Sequence, residues 1–394
     1  MYFSPVIPDM SLWLLCAAFA CVVLLAAIYL ARVRSVVTYR RRADRERPDK
    51  PEADYLPASV VIYSQGDSDN LETLLRTILG QDYPAAFEVI VVNEGESVEV
   101  RDTVSMLRAA HSNLYLTFTP QGVVNLSRKK LALTLGIKAA RYDIVVLTTT
   151  AADIESPLWL KRMMRPFDRD GKTEIVLGYS YIDPEEDSEF GSRMRAFDHV
   201  ADSVRWLGTA IARHPFRGTE YNIAYRKQAF LRNKGFARSL NLHYGDDDIF
   251  ISEIVRPGNT VVELSDESLV RLRHGNAPRI FRERVLRRMF TEGHIGRRPR
   301  ILFALIGWLQ VAAIATAVAA AVTSWPNMQT AIFGAVILVA MFVLDIVMWR
   351  PAMRALKSRT LCLTLPWLSM TYPLRRTVRH LRSQIGKQKK YTWD

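Results

Sequence analysis

Only three cysteines occur in the 394-residue sequence, Cys16, Cys21 and Cys362, and all stand in apolar stretches. Neither a disulfide framework nor a cysteine zinc site can be assembled from them, which excludes a secreted, cross-linked protein. Histidine is scarce as well, and His243, His274 and His294 lack metal-ligand spacing, so they read as surface or pocket residues. No G-x-G-x-x-G and no Walker A segment is present, which removes the commonest dinucleotide and P-loop signatures. Acid is the minority charge: 40 Asp+Glu face 53 Lys+Arg, a net charge of +13. Mean hydropathy is zero, too high for a disordered chain and too low for one that is membrane throughout. The surplus of positive charge leaves two partners to weigh, nucleic acid or an anionic membrane face.

Charge is missing altogether from three stretches. Residues 12–31 form an uncharged run of 20, residues 301–323 one of 23, and residues 328–344 one of 17 before Asp345. The first is long enough to span a bilayer as a helix. No Lys or Arg precedes it and no small-x-small site comes before the basic flank, which favours a retained anchor over a cleaved signal peptide. The other two, joined by Ser324-Trp325-Pro326-Asn327, read as a transmembrane hairpin with an interfacial Trp. Residues 360–374 are apolar but short, with two prolines, and fit an interfacial segment better than a span. Asp345 reads as a residue snorkelling at a helix end.

Segments 32–50, 279–300 and 375–390 together carry 23 of the 53 basic residues, whereas 1–11 and 324–330 carry none. The positive-inside rule then places the N-terminus outside, residues from about 33 to 300 in the cytoplasm and the C-terminal tail inside. The charge reports topology, and nucleic acid drops out as a partner. The expected division is an anchor at 1–32, a basic linker at 33–55, a cytoplasmic domain at 56–300, the hairpin at 301–349, and an interfacial segment with a basic tail at 350–394.

Within 56–300, short β-branched runs alternate with helical patterns. Strands are expected at 59–63, 87–92, 114–118 and 143–149, and helices around 70–80, 97–111 and 129–140. That alternation predicts an α/β domain with a mostly parallel sheet, whose ligands bind beyond the carboxyl ends of the strands. The residues there are Ser64 to Asp67, Asn93 to Glu96 and Thr150 to Asp153. Further along, Gly245-Asp246-Asp247-Asp248 admits two readings: a solvated acidic cap, or a general base or cation site among mutually perturbing carboxylates.

The order of these motifs resembles the family 2 inverting glycosyltransferases of GT-A fold, in particular a membrane-attached group common in Bacteroidetes-type bacteria. SVVIYSQGDSDNLETLLRTILGQDYPAAFEVIVVNEG at 59–95, RKKLALTLGIKAARYDIVVLTTTAAD at 128–153 and SPLWLKRMMRPF at 156–167 carry the likeness. EIVLGYS at 174–180, YNIAYRKQAFLRNKGFA at 221–237 and GDDDIF at 245–250 extend it. The resemblance implies a nucleoside-diphosphate sugar as donor, a lipid-linked or glycan acceptor, and Mg²⁺ or Mn²⁺ on a D-x-D at the position of Ala151-Ala152-Asp153. Here Asp153 alone remains to hold the metal. It implies donor contacts from Tyr63, Asp67, Asn93, Glu94, Lys130 and Asp153, with Gly66-Asp67 where Asn-Glu is usual. Asp246, with Asp247 next to it, corresponds to the base on the acceptor hydroxyl. Tyr221, Asn222, Asp248, Arg287 and Arg288 fall at acceptor and diphosphate positions, Tyr221 standing where Arg is usual. The family's Q-x-x-R-W falls at 285–289, where only Arg288 matches and Val285 and Met289 replace the Gln and Trp.

These readings lead to a membrane-bound glycosyltransferase making envelope glycans at the bacterial inner membrane. The losses at Ala151, Val285 and Met289 support a second expectation, a catalytically silent relative acting as scaffold or subunit of an envelope complex. A processive synthase with its own channel is disfavoured, because three spans supply too few walls; a homodimer would add more.

Overall fold

The computed structural model describes residues 9–45, 49–66, 69–119, 126–183, 189–295, 297–325, 328–358 and 362–385. Helix α1 (Asp9–Tyr29) passes through a π-helical turn at Leu30–Arg34 into α2 (Ser35–Arg45) without a break. The basic stretch expected to be a linker is therefore helical as far as Arg45. A sequence of charges without Gly or Pro leaves nothing to stop a helix already nucleated by the apolar run. The π-turn widens the helix where α7 (Phe190–Ile211) crosses it, and Arg32 donates to the Gly208 carbonyl there (3.1 Å).

The sheet follows the expected alternation closely. Strands β1 (Ala58–Ser64), β2 (Phe87–Asn93), β3 (Leu114–Phe118) and β4 (Ile144–Thr149) are separated by α3 (Leu71–Leu79), α4 (Val98–Arg108) and α5 (Arg128–Ala139). The short pair-forming strand β5 (Ala152–Asp153) and helix α6 (Trp159–Met164) come next, then β6 (Ile175–Leu177) and β7 (Ser180–Tyr181) ahead of α7. Beyond α7 lie β8 (Ile223–Arg226), α8 (Lys227–Arg232), α9 (Asp248–Ile254), β9 (Thr260–Val262), β10 (Val270–Leu272) and α10 (Pro278–Glu292). The main sheet runs β3-β2-β1-β4-β8-β6-β9, with β8 alone opposed to its neighbours. A second sheet, β5-β10-β7, stands beside it.

β1 and β4 are buried at every position, as continuous apolar runs in a sheet covered on both faces must be. Alternate residues serve two cores. Val60, Ile62, Val89 and Val91 pack with α3, α4 and α6, while Val61, Tyr63, Ile90 and Val92 face α5 and α7. On that second side α5 rides directly on the strands. A β-carbon on Gly136 would come within 2.6 Å of Val92 and 2.7 Å of Val61, so glycine is what allows the approach.

The second core continues without interruption into the apolar helices, through Leu25, Tyr29, Val33, Phe197, Trp349 and Leu368. Helices α11 (Arg297–Thr323) and α12 (Met328–Ala355) pack against one another, and α12 runs eleven residues beyond the uncharged run. Among the described residues, three helices, spanning Met10–Ala43, Leu305–Thr323 and Met328–Ala355, are long and apolar enough to cross a membrane. Helix α13 (Leu365–Ile385) carries part of the short apolar segment and of the basic tail in one amphipathic rod. Its Arg375 and Arg379 pair with Asp198 of α7, and Arg376 with Glu292 of α10 (2.6 Å).

Asp345 does not snorkel. It is fully buried among α1, α12 and α13, where the Tyr29 hydroxyl donates to it at 2.8 Å and the Ser369 hydroxyl at 3.3 Å. A carboxyl that finds hydroxyl donors inside the bundle has no need to reach for the interface. Where α1, α7, α11, α12 and α13 meet, they line a half-open cavity of about 570 Å³ walled by Tyr29, Phe197, Gln310 and Trp349, with Arg205 and Arg376 among its charged residues.

Candidate active site

The carboxyl ends of β1 and β2 bring Tyr63 and Glu94 together, and the Tyr63 hydroxyl donates to the Glu94 carboxylate. Burial first, and Glu94 second, push the Tyr63 hydroxyl well above its ordinary value, so it stays protonated and remains a donor. Asn93 does not face outward. Its side chain closes the turn after β2, donating to the Ser97 carbonyl (2.8 Å) and accepting from the Ser97 amide (3.2 Å). That turn passes through Gly95 and Glu96, both at positive φ. Asp67 lies outside the described residues.

Ser127 caps α5, and this sets the phase of the two lysines that follow. Lys130 turns inward: fully buried, it donates to the carbonyls of Ser239 (2.5 Å), Leu242 (3.1 Å) and Tyr244 (2.9 Å). It pins the 239–244 loop and is a structural residue in this geometry. Lys129, unremarked in the sequence, is the one that enters the site. Its ammonium lies 5.4 Å from the centre of the Tyr63 ring and pairs with Asp246 (2.7 Å) and Glu220.

The acidic turn completes the arrangement. Gly245 sits at φ +105° and turns the chain into α9, and Asp247 caps that helix by accepting from the Asp248 amide (2.8 Å). Its other oxygen accepts from the Glu220 amide at 3.3 Å. Asp246 is buried and bound on both sides, by Lys129 and by Arg287 (2.8 Å), and Arg287 also holds Glu220 (2.5 Å). Four alternating charges thus close a ring: Lys129, Asp246, Arg287, Glu220. Burial raises the Asp246 carboxyl, yet Arg287 and Lys129 outweigh it and hold the group well below the usual carboxylate range. Asp248 points the other way, onto Arg217 (2.9 Å) and Thr291 (2.6 Å), and there burial wins and raises its carboxyl.

Of the two adjacent arginines on α10, Arg287 meets the acidic turn. Arg288, a helix step away, pairs with Asp202 of α7 (3.1 Å). Asn222 is wholly buried in structural bonds, to the Tyr179 and Ser268 carbonyls and from the Trp159 indole. Tyr221 is half-buried, with its carbonyl accepting from Thr148 (3.0 Å). The structure therefore gathers Tyr63, Glu94, Asp246, Asp247 and Arg287, adds Lys129 and Glu220, and sets Asn93, Lys130, Asn222, Asp248 and Arg288 into supporting positions.

Asp153 lies apart from the ring, on β5. One oxygen accepts from Asn70 (2.7 Å) and the other from Arg271 of β10 (3.1 Å). Ala151 offers no ligand, and among the described residues no group of three or more His, Cys, Asp or Glu is placed to hold a metal ion. The side chains around Asp153 thus form an ion pair and do not make a Mg²⁺ or Mn²⁺ cage.

Burial, and then Arg287, push the Lys129 ammonium down to about 8, against the pull of Asp246 and Asp247. Above that pH the cation is lost, so binding of an anionic ligand here should weaken as pH rises. Titrating a nucleoside diphosphate at pH 7 and pH 9 is expected to show a loss of about tenfold for the one proton linked.

A mostly parallel α/β sheet, with charged groups gathered at its carboxyl ends and membrane-length helices sharing its core, is the architecture of a GT-A-type domain joined to apolar helices. The chain belongs to glycosyl transferase family 21, whose model matches residues 17–380. That match takes in the α/β domain and the apolar helices together. Among solved structures it is similar to a mannosyltransferase from Pyrobaculum calidifontis, in complex with GDP-Man and Mn²⁺. The TM-score is 0.53 at 18% identity, covering 92% of this chain and 99% of that one. Weaker likenesses are to residues 1–349 of TarS from S. aureus (TM-score 0.39, 13% identity, 85% and 93% covered) and to mannosyl-3-phosphoglycerate synthase from Rubrobacter xylanophilus (0.38, 17%, 61% and 77%). No curated protein matches the chain.

Proposed function

We propose that the protein is a membrane-bound, inverting glycosyltransferase that moves a sugar from a nucleoside-diphosphate donor to a lipid-linked acceptor of the bacterial envelope, working on the cytoplasmic side of the inner membrane. The observation that carries this reading is the ring of Lys129, Asp246, Arg287 and Glu220 at the sheet's carboxyl end. It holds in one place the base and the cations that a sugar transfer needs.

Direct displacement requires one base and no covalent intermediate. The acceptor hydroxyl attacks the anomeric carbon, Asp246 takes its proton, and the glycosidic bond breaks with its electron pair going to the diphosphate. Lys129 and Arg287 meet the charge that develops there. A diphosphate that takes up these two cations would release Asp246 from the pairs that now hold it. Asp247, half-buried beside it, is the alternative base. Tyr63 and Glu94 stand at the strand ends as donor contacts. The cavity among the apolar helices, together with the basic flanks, supports an acceptor that arrives through the membrane.

A second reading has an observation of its own. Ala151 removes an acid and Asp246 is fully ion-paired, which suits a silent relative serving as scaffold in an envelope assembly. Thermal shift of the full-length protein in detergent against UDP, GDP, CDP, ADP and dTDP separates the two. An active transferase is stabilised by one of them, by about 2.7 kcal/mol at a hundredfold excess over Kd. A scaffold is stabilised by none.

A further inference from the structure

Register brings two oppositely charged residues face to face in the second sheet. Asp153 of β5 and Arg271 of β10 are direct partners in an antiparallel pair, 118 positions apart in the chain. The guanidinium donates to Asp153 Oδ2 at 3.1 Å, lies 3.3 Å from Glu155 through Nε and 3.8 Å from Asp183 through Nη1. The other oxygen of Asp153 accepts from Asn70, whose amide also reaches the Thr150 and Ala152 carbonyls (3.2 and 3.4 Å). Arg271 is thus fixed by the backbone ladder and by its carboxylate partner. Its side chain nevertheless remains 34% exposed.

This pair stands where the missing acid would have mattered. Asp153, Glu155 and Asp183 converge on one point, and the Arg271 guanidinium already fills it, where a divalent cation would otherwise have to sit. With Ala151 in place of a further acid, Arg271 is the cation that these carboxylates hold. A guanidinium also suits the task, since its planar fork binds phosphate oxygens two at a time and keeps its charge at any physiological pH. Glu155 and Asp183 are the looser contacts. Glu155 has a further partner in the Tyr181 hydroxyl (3.1 Å), which it keeps if an anion displaces it from Arg271.

We propose that Arg271 is a donor-binding residue that takes the place of a divalent cation, so that the protein binds its nucleoside-diphosphate donor without metal. This rests on the glycosyltransferase reading above.

The test uses the full-length protein in detergent and the nucleoside diphosphate giving the largest thermal shift, with Kd measured in EDTA and in Mn²⁺. The same Kd in both is expected. Arg271→Ala should weaken binding by about ten- to a hundredfold, the loss of a charge-assisted contact, and Arg271→Lys should recover part of it. The double variant Arg271→Ala, Ala151→Asp should bind only when Mn²⁺ is added, a gain that a merely structural arginine would not confer. Wild-type binding that needs Mn²⁺ and disappears in EDTA overturns the inference and leaves the functional reading standing. So does an unchanged Kd in Arg271→Ala. No binding of any nucleoside diphosphate under either condition overturns both. Should Arg271→Ala fail to fold, the wild-type comparison in EDTA and Mn²⁺ still decides.

Discussion

Asp246→Asn is expected to lower sugar transfer by about 10²–10⁴-fold, the range that a positioned general base supplies, while the protein stays folded and still binds its nucleotide. The substitution keeps the side chain's shape and removes its basicity. Lys129 and Arg287 keep Glu220 as a carboxylate partner, so neither cation is stranded in the interior. One negative charge fewer beside the two cations can only favour an anionic donor. The signature is therefore a collapse of turnover with nucleotide affinity held or improved. Asp247→Asn is the matched comparison. Asp247 bonds the amides of Asp248 and Glu220, so its loss loosens the acidic turn before it touches a proton. Measuring turnover and nucleotide Kd for both variants assigns the base. If the larger loss falls on Asp247→Asn with Kd unchanged, the roles of the two are exchanged. Equal transfer by wild type and both variants would mean that neither carboxylate is the base, and no transfer by any of the three would favour the scaffold reading.

The second large effect concerns stability. One guanidinium nitrogen of Arg165 donates to both carboxylate oxygens of Glu263 (3.1 and 2.9 Å), and the Glu263 side chain is fully buried. Glu263 also accepts from the Ser265 amide at 2.8 Å, which fixes the chain leaving β9. Glu263→Ala takes both carboxylate bonds from a guanidinium that cannot move to water. The expected cost is about 3–5 kcal/mol, a fall in Tm on the order of 10 °C for a domain of this size. A paired replacement, Arg165→Met with Glu263→Leu, fills the same space without charge and should recover most of the loss. Thermal unfolding of the three proteins in one detergent checks this. A single variant that melts with the wild type would mean the pair contributes nothing net.

How far the sequence carries can be seen at particular residues. The strands 87–92 and 143–149 were readable from their β-branched runs and 114–118 from its short stretch of apolar and aromatic residues, and the structure places them at Phe87–Asn93, Leu114–Phe118 and Ile144–Thr149. The apolar helices were readable from length alone. Neighbours on a helix were another matter. Lys129 and Lys130, or Arg287 and Arg288, differ by about 100° in direction, and only the cap at Ser127 and the packing of α10 fix which of each pair meets the acidic turn. A signal did exist for α5: Ser127 ahead of Arg128-Lys129-Lys130 marks an N-cap, from which the phase follows. The buried site of Asp345 and the pairing of Asp153 with Arg271 had no local signal, because each depends on chain segments distant in sequence. Continuation of α1 past Tyr29 was hidden by composition, since a charged stretch reads as linker until something shows that nothing in it breaks a helix.

A chain that transfers a sugar from a nucleotide donor to a membrane acceptor, with Asp246 as the base, must leave a glycosylated lipid. The most direct test is that product. Wild-type and Asp246→Asn proteins, reconstituted in vesicles that contain a bacterial lipid extract, are incubated with a panel of nucleotide sugars, and the lipid fraction is weighed by mass spectrometry. A lipid heavier by one glycosyl unit is expected with a single donor class, present with wild type and absent with Asp246→Asn. No new lipid with any donor, or equal amounts from both proteins, would contradict this.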